Sequence, residues 1–167
     1  MDISGLGIKI IDLLIANNLL NNISDIYRLK IKDLKNLQRM GQKSAENIIN
    51  SINQSKKTTL AKFINGLGIR NVGLNASKLL EKNFNNDIFR LMNSSYEELI
   101  EINEIGEIMA NSIIEYFNNN ENIKIINDCL SFNLAFNKSE VIKETIFLDK
   151  RFAFTGSLKK YSRSEVS

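Results

Sequence analysis

The chain has no histidine, a single cysteine at Cys129, and no apolar run near the ~18 to 20 residues that a bilayer span requires. Without histidine there is no His-based general base and no Ser/His/Asp or Cys/His triad. With one cysteine there is neither an internal disulfide nor a Cys/His zinc site within the chain. Lys, Asn, Asp or Glu interrupts every apolar stretch, and the N-terminus lacks the basic-then-apolar pattern of a secretory signal, so a cytoplasmic protein with no membrane partner is expected. The chemistry left open is carboxylate-metal or lysine chemistry, or binding alone through backbone groups and Lys/Arg. What is present is 167 residues, 43% hydrophobic and 25% charged, enough for one ordinary domain or two small ones with real cores.

Charge is unevenly spread. Residues 1–90 carry 14 Lys/Arg against 7 Asp/Glu, net +7; residues 91–149 carry 3 against 11, net −8; residues 150–167 carry 5 against 1, net +4. A basic first half suggests a polyanionic partner, although helix-rich surfaces also partition charge with no partner at all.

A repeat sets the architecture. Residues 34–48, around Gly41, and residues 99–113, around Gly106, both read h-x-x-h-x-x-h-G-x-x-x-A-x-x-h, where h is apolar. The same frame fits Ile69 through Leu80 with Gly73, Ser77 standing for Ala, and Ile3 through Leu14 with Gly7, Ile11 standing for Ala. Glycines at 7, 41, 73 and 106 are 34, 32 and 33 residues apart. The apolar spacing ahead of each glycine predicts the buried stripe at the end of one helix, and A-x-x-h predicts the stripe on the next. The glycine is expected to permit a backbone conformation that a Cβ would penalise and to let another molecule approach closely. Free amides at the second helix's N-terminus then make an anion site from backbone alone, suited to phosphate. One such glycine is an ordinary helix cap; four at near-constant spacing favour the anion site.

This pattern resembles the helix-hairpin-helix motif of DNA-binding proteins. That family pairs hairpins by pseudo-twofold symmetry, and their amides grip phosphates across a minor groove without reading sequence. Four hairpins in two pairs, 3–53 and 60–118, resemble the corresponding domain of bacterial NAD-dependent DNA ligases. The stretches Ile3-Ser4-Gly5-Leu6-Gly7, Arg39-Met40-Gly41-Gln42-Lys43-Ser44-Ala45, Ser55-Lys56-Lys57-Thr58-Thr59-Leu60 and Leu67-Gly68-Ile69-Arg70-Asn71-Val72-Gly73 look like that ligase's in the same order. Arg151 through Leu158 reads as a short strand ending in a turn, and Ser162-Arg163-Ser164-Glu165 as a capping box. Together they resemble the start of a BRCT domain, which follows the hairpins in that family but cannot fold from so short a piece.

The resemblance implies that the full-length ligase uses NAD, magnesium and a four-cysteine zinc module, with ligation by an adenylation lysine in a Lys-x-Asp-Gly signature. None occurs here, since Lys30-Ile31-Lys32-Asp33 is followed by Leu34. The chain is therefore expected to be a non-catalytic fragment without a cofactor of its own, working with the missing ligase domains in cis.

Among single residues, Lys43 lies two after Gly41 on the first turn of its helix, where a cation opposes the helix dipole unless an anion is bound nearby. Lys9 is its equivalent after Gly7, and Arg39 and Arg70 precede their glycines. Each could instead be a solvated charge. Lys56 and Lys57 join the hairpin pairs and suggest general attraction; Gly66 and Gly68 shape a bend or end a helix. Glu104 and Glu107 flank Gly106, so the fourth hairpin should repel phosphate and serve as the third's packing partner. The cluster Glu97, Glu98, Glu101, Glu104 and Glu107 fits a solvated helix face better than a metal site. Phe63, Phe84, Phe89, Tyr96, Tyr116 and Phe117 are expected in the core.

The expectation is an all-α domain at 3–130, a linker at 131–149 and an incomplete α/β BRCT start at 150–167. Its function would be sequence-independent binding of nicked duplex DNA by a monomer, through Gly5, Gly7, Lys9, Arg39, Gly41, Lys43, Arg70 and Gly73. Alternatives are the hairpin region of an excision nuclease or recombination helicase accessory, or a helical scaffold that binds protein through the acidic second half.

Overall fold

A computed structural model describes residues 1, 3–38 and 40–137. Arg39, the end of the expected linker and the BRCT-like stretch lie outside the described residues. Helix α1 (Ile8–Ala16) is followed by a 3-10 turn (Ile23–Arg28), α2 (Ile31–Lys35) and α3 (Gln42–Ser55). A short strand β1 (Lys57–Thr58) leads to α4 (Leu60–Leu67), α5 (Leu74–Asn83), α6 (Ile88–Met92), α7 (Tyr96–Ile100), α8 (Glu107–Asn118), α9 (Asn120–Ser131) and β2 (Ala135–Phe136). The fold is mostly helical. Strands β1 and β2 pair in parallel, Lys57 opposite Ala135 and Thr58 opposite Phe136, so the first residues after α9 return to the connection between α3 and α4.

Spacing decides which faces are buried. Ala45, Ile48 and Ile52 on α3, and Ala110, Ile113 and Phe117 on α8, fall at i, i+3 and i+7 and turn one stripe inward. In α4 the apolar face is wider, and Leu60, Ala61, Phe63, Ile64 and Leu67 are all buried. Two cores result. One gathers Leu14, Leu20, Leu29, Leu34, Leu37, Ala45, Ile48 and Ile52; the other runs from Leu60 to Cys129 around Ile64, Leu80, Leu91, Leu99, Ile113 and Ile126. Helix α9 belongs to no glycine turn, yet it closes the second core with Ile126 and Cys129 and lies against the 3-10 turn.

Helix ends follow local chemistry. Gly68 takes the left-handed conformation (φ 70°) at the end of α4, so of its two expected roles it terminates a helix. Gly66 lies inside α4, facing Met1. The 3-10 turn opens on a reciprocal box in which Asn22 accepts from Ser24 N at 2.8 Å and Asp25 accepts from Asn22 N at 3.1 Å. Of the aromatic side chains expected in the core, Phe63, Phe84 and Phe117 are buried and Tyr96 and Tyr116 pack partly against it. Phe89 is the exception: α6 has under two turns, its inner face is taken by Ile88 and Leu91, and Phe89 is left on the outside, 56% exposed.

Two outcomes test this packing. Ala45 and Ala110 have no exposed surface, so Ala45→Leu should overpack the first core and lower unfolding free energy by about 1–3 kcal/mol in denaturant titration. Burial alone would raise the Asp25 carboxyl, but amide hydrogen bonds from Asn21 and Asn22 and the Arg28 guanidinium outweigh it and hold its pKa below the usual 3.8. The stability it confers is present above the unfolded pKa and is lost as pH falls through the lower folded value. Asp25→Asn should therefore flatten the acid limb of a stability-against-pH curve.

Candidate nucleic-acid interface

The four glycine turns share one geometry. The amide just before each glycine donates to the carbonyl three residues earlier: Leu6 to Ile3 (3.1 Å), Met40 to Leu37 (3.2 Å), Val72 to Ile69 (3.1 Å) and Ile105 to Ile102 (3.0 Å). Each glycine carbonyl then accepts the first helical bond, from Ile11, Ala45, Ser77 and Ala110 at 3.1, 3.0, 2.9 and 3.0 Å. The side chain before the glycine plugs the turn into its core, with Val72 and Ile105 buried and Leu6 and Met40 packed partly against the first core. Helices α2, α4 and α7 enter the later three turns. The turn at Ser4-Gly5 ahead of Gly7 matches those at Arg70-Asn71 and Asn103-Glu104.

The glycines themselves differ from expectation. Gly7, Gly41, Gly73 and Gly106 have φ of −83°, −82°, −86° and −89° with ψ near extended values, a conformation any residue adopts. The left-handed demand falls two residues earlier, on Gly5 (φ 82°), Asn71 (φ 63°) and Glu104 (φ 71°). Arg39 holds the equivalent place in the second turn and is outside the described residues. A Cβ added at any of the four glycines would meet nothing within 4 Å. The space beside each is open to another molecule.

Capping separates these helices from α4, α6, α7 and α9. Helices α1, α3, α5 and α8 begin at the four glycines and have no side-chain cap. Side chains of Thr59, Asp87, Ser95 and Asn119 cap α4, α6, α7 and α9, and the Asp33 carboxylate takes the Lys30 amide at the start of α2. Uncapped amides carry the positive end of the helix dipole. The first turns of α1, α3 and α5 hold no acid, whereas α8 begins with Glu107.

The candidate residues gather accordingly. Gly5, Gly7, Lys9, Gly41, Lys43, Arg70 and Gly73 are all exposed at or beside these turns, and among the described residues the ion pairs involve Arg28 and Arg90 rather than Lys9, Lys43 or Arg70. Glu104 lines an open groove of about 390 Å³ with Gly73, Leu74 and Asn75, while Asn71 Nδ2 donates to Ser112 Oγ on α8 at 3.1 Å. The third and fourth turns thus pack face to face, and the fourth brings a carboxylate to the groove. Sequence reasoning missed the exposed apolar side chains at the turn rims, Ile8 and Ile108 at 75% and Leu74 at 43%; no spacing rule marks them.

Zinc and magnesium are held by converging thiolates or carboxylates. Cys129 is the chain's one thiol, buried, and desolvation pushes its pKa up to about 11. Among the described residues no three acidic or thiol groups converge on a metal position, and Glu98 is engaged with the Ser95 amide and Arg90.

Comparison with known proteins agrees with this geometry. Residues 1–54 match the SAM-like helix-hairpin-helix tandem, and residues 62–126 match the helix-hairpin-helix motif. The chain carries helix-hairpin-helix motifs. It is 40% identical over its full length to a DNA ligase of Francisella tularensis subsp. novicida, 39% identical over 99% of its length to one of Clostridioides difficile, and 37% identical over its full length to one of Francisella philomiragia. In each case the match covers 25% of the relative, so the chain spans about a quarter of the length of these ligases.

Glycine at the hairpin caps and non-glycine at the left-handed positions make opposite demands on stability. Glu104→Gly should stabilise the chain by about 1 kcal/mol, relieving a left-handed side chain. Gly41→Ala, at the N-cap of α3, should lower unfolding free energy by roughly 0.5–1 kcal/mol, both read by chemical denaturation.

Proposed function

We propose that this chain is the DNA-binding region of an NAD-dependent DNA ligase, holding nicked duplex DNA through backbone phosphates while missing domains in cis join the strands in replication and repair. Four hairpins in two pairs would form the DNA-binding domain of a cytoplasmic monomer, with NAD, magnesium and zinc belonging to the rest of the ligase and a BRCT domain beginning at residue 150. One observation carries this reading: four helices start at exposed glycines with their amides uncapped, while α4, α6, α7 and α9 are each capped by the side chain of the preceding residue. A phosphate at such an end accepts several amide hydrogen bonds and is favoured by the dipole.

Amides at Gly7, Gly41 and Gly73 position the duplex, and Lys9, Lys43 and Arg70 neutralise phosphates beside them, with Arg39 in the same role at the second turn. These contacts reach no base edge, so binding is independent of sequence. The fourth hairpin, with Glu104 and Glu107 at its tip, supports the third rather than gripping DNA.

Fluorescence anisotropy with nicked and intact duplex across a salt series tests this. Affinity should fall steeply with salt, and Lys43→Ala or Arg70→Ala should each lower the slope of log K against log salt by about 0.9. Glu104→Gln should tighten binding. Slopes unchanged in both cation variants would remove phosphate contact from these hairpins, and a folded chain that ignores duplex DNA at low salt would favour the protein-binding scaffold.

A further inference from the structure

Contacts between the two halves include Met1, which packs against the second core and faces Gly66 of α4. Tyr27, at the end of the 3-10 turn, packs against both cores and stacks on Phe132, just past α9, with ring centroids 5.9 Å apart and planes 27° apart. Its neighbour Arg28 donates from one guanidinium nitrogen to Asp25 Oδ1 at 2.8 Å and from the other to Asp128 Oδ2 at 3.1 Å, across 100 residues of sequence. The same guanidinium lies over the Phe132 ring, 5.7 Å from its centre. Beyond Phe132, the Ala135 and Asn137 amides donate to the carbonyls of Lys56 and Thr58, both at 2.8 Å, on the connection between the two halves. The segment from α9 to β2 thus touches the first half at one end and the connection at the other.

We propose that Arg28, Asp128 and Phe132 form a latch that fixes the angle between the two hairpin pairs, so that both grip one duplex at once. This rests on the DNA-binding reading above. Arg28 lies in the basic first half, yet its guanidinium donates to two carboxylates and lies over a ring; it is a positioning residue. The Arg28 and Asp128 side chains are 49% and 34% exposed, and an ion pair so open to water contributes little to folding. Each core is complete without it, so opening the latch should leave both hairpin pairs folded but free to change their mutual angle. Two binding units held at the right spacing bind far more tightly than the same units on a loose joint, with no new contact.

Asp128→Ala separates this account from simple electrostatics. It removes a negative charge, which by charge alone should tighten binding to DNA. The latch predicts weaker binding, by about two- to fivefold, to a duplex long enough to reach both pairs. Affinity for a hairpin-capped duplex of about 8 base pairs, on the order of 27 Å long and reaching one pair, should not fall. Arg28→Lys keeps the charge but loses the planar fork and the ring contact, and should resemble Asp128→Ala on the long duplex.

A second readout needs no DNA. Spin labels on Asn50→Cys in α3 and Lys82→Cys in α5, both exposed, should give one narrow distance distribution in the otherwise native full chain, because buried Cys129 resists labelling. Adding Asp128→Ala should broaden it while circular dichroism stays unchanged. Undiminished long-duplex affinity together with an unbroadened distribution in Asp128→Ala would overturn the latch. If the native chain fails to bind duplex at any salt, the DNA-binding reading falls, and with it the latch's role in gripping DNA; the distance distribution then decides whether the latch holds the angle.

Discussion

A helix begins with amides that have no partner within it, and how those amides are satisfied orders this molecule. At α4, α6, α7 and α9 a side chain of the preceding residue satisfies them. At the glycine turns the chain enters the next helix by a tight bend that buries one apolar residue and supplies no cap. Those helix ends face outward beside glycines with open space around them. Fixing the bend requires a left-handed residue two positions earlier, a plug such as Val72 or Ile105, and a small residue such as Ala45 or Ala110 where the next helix meets the core. Removing the plug or enlarging the small residue would disturb the core before it disturbed the exposed surface.

Charge then distinguishes ends that are alike in backbone. The first three uncapped helices have no acid in the first turn, with Lys9, Lys43 or Arg70 close by; the fourth has Glu107, and Glu104 in the turn before it. The same fold unit can thus serve as anion receptor or as packing partner, depending on two or three side chains. The groove shared by Gly73 and Glu104 joins the two roles.

Much of this was legible in the sequence because the repeat is strong. Four glycines at 32 to 34 residue steps, each followed by helical spacing, located the turns, and h-x-x-h and A-x-x-h located the buried stripes of α3 and α8. The conformation at the turn was misplaced. Glycine suggested a left-handed residue, but a side chain as large as that of Glu104 adopts that conformation here (φ 71°), and nothing in a lone glutamate announces it. Phe89 is exposed, since neither apolar spacing nor aromatic character shows which face of a very short helix is covered. Arg28 escaped notice for a different reason. Its partners Asp128 and Phe132 lie about 100 residues away, a pairing that only tertiary packing creates.

The central claim is that uncapped amides at three glycine turns receive phosphate. Amide proton and nitrogen chemical shifts, followed while duplex DNA is titrated into the isotope-labelled chain, test it most directly, because they report on the backbone groups themselves. The account predicts the largest shifts at Ile8, Lys9, Gln42, Lys43, Leu74 and Asn75, with Glu107 and Ile108 little moved. Shifts concentrated on the acidic α7 and α8, or spread over the capped helix starts as much as the uncapped ones, would contradict it.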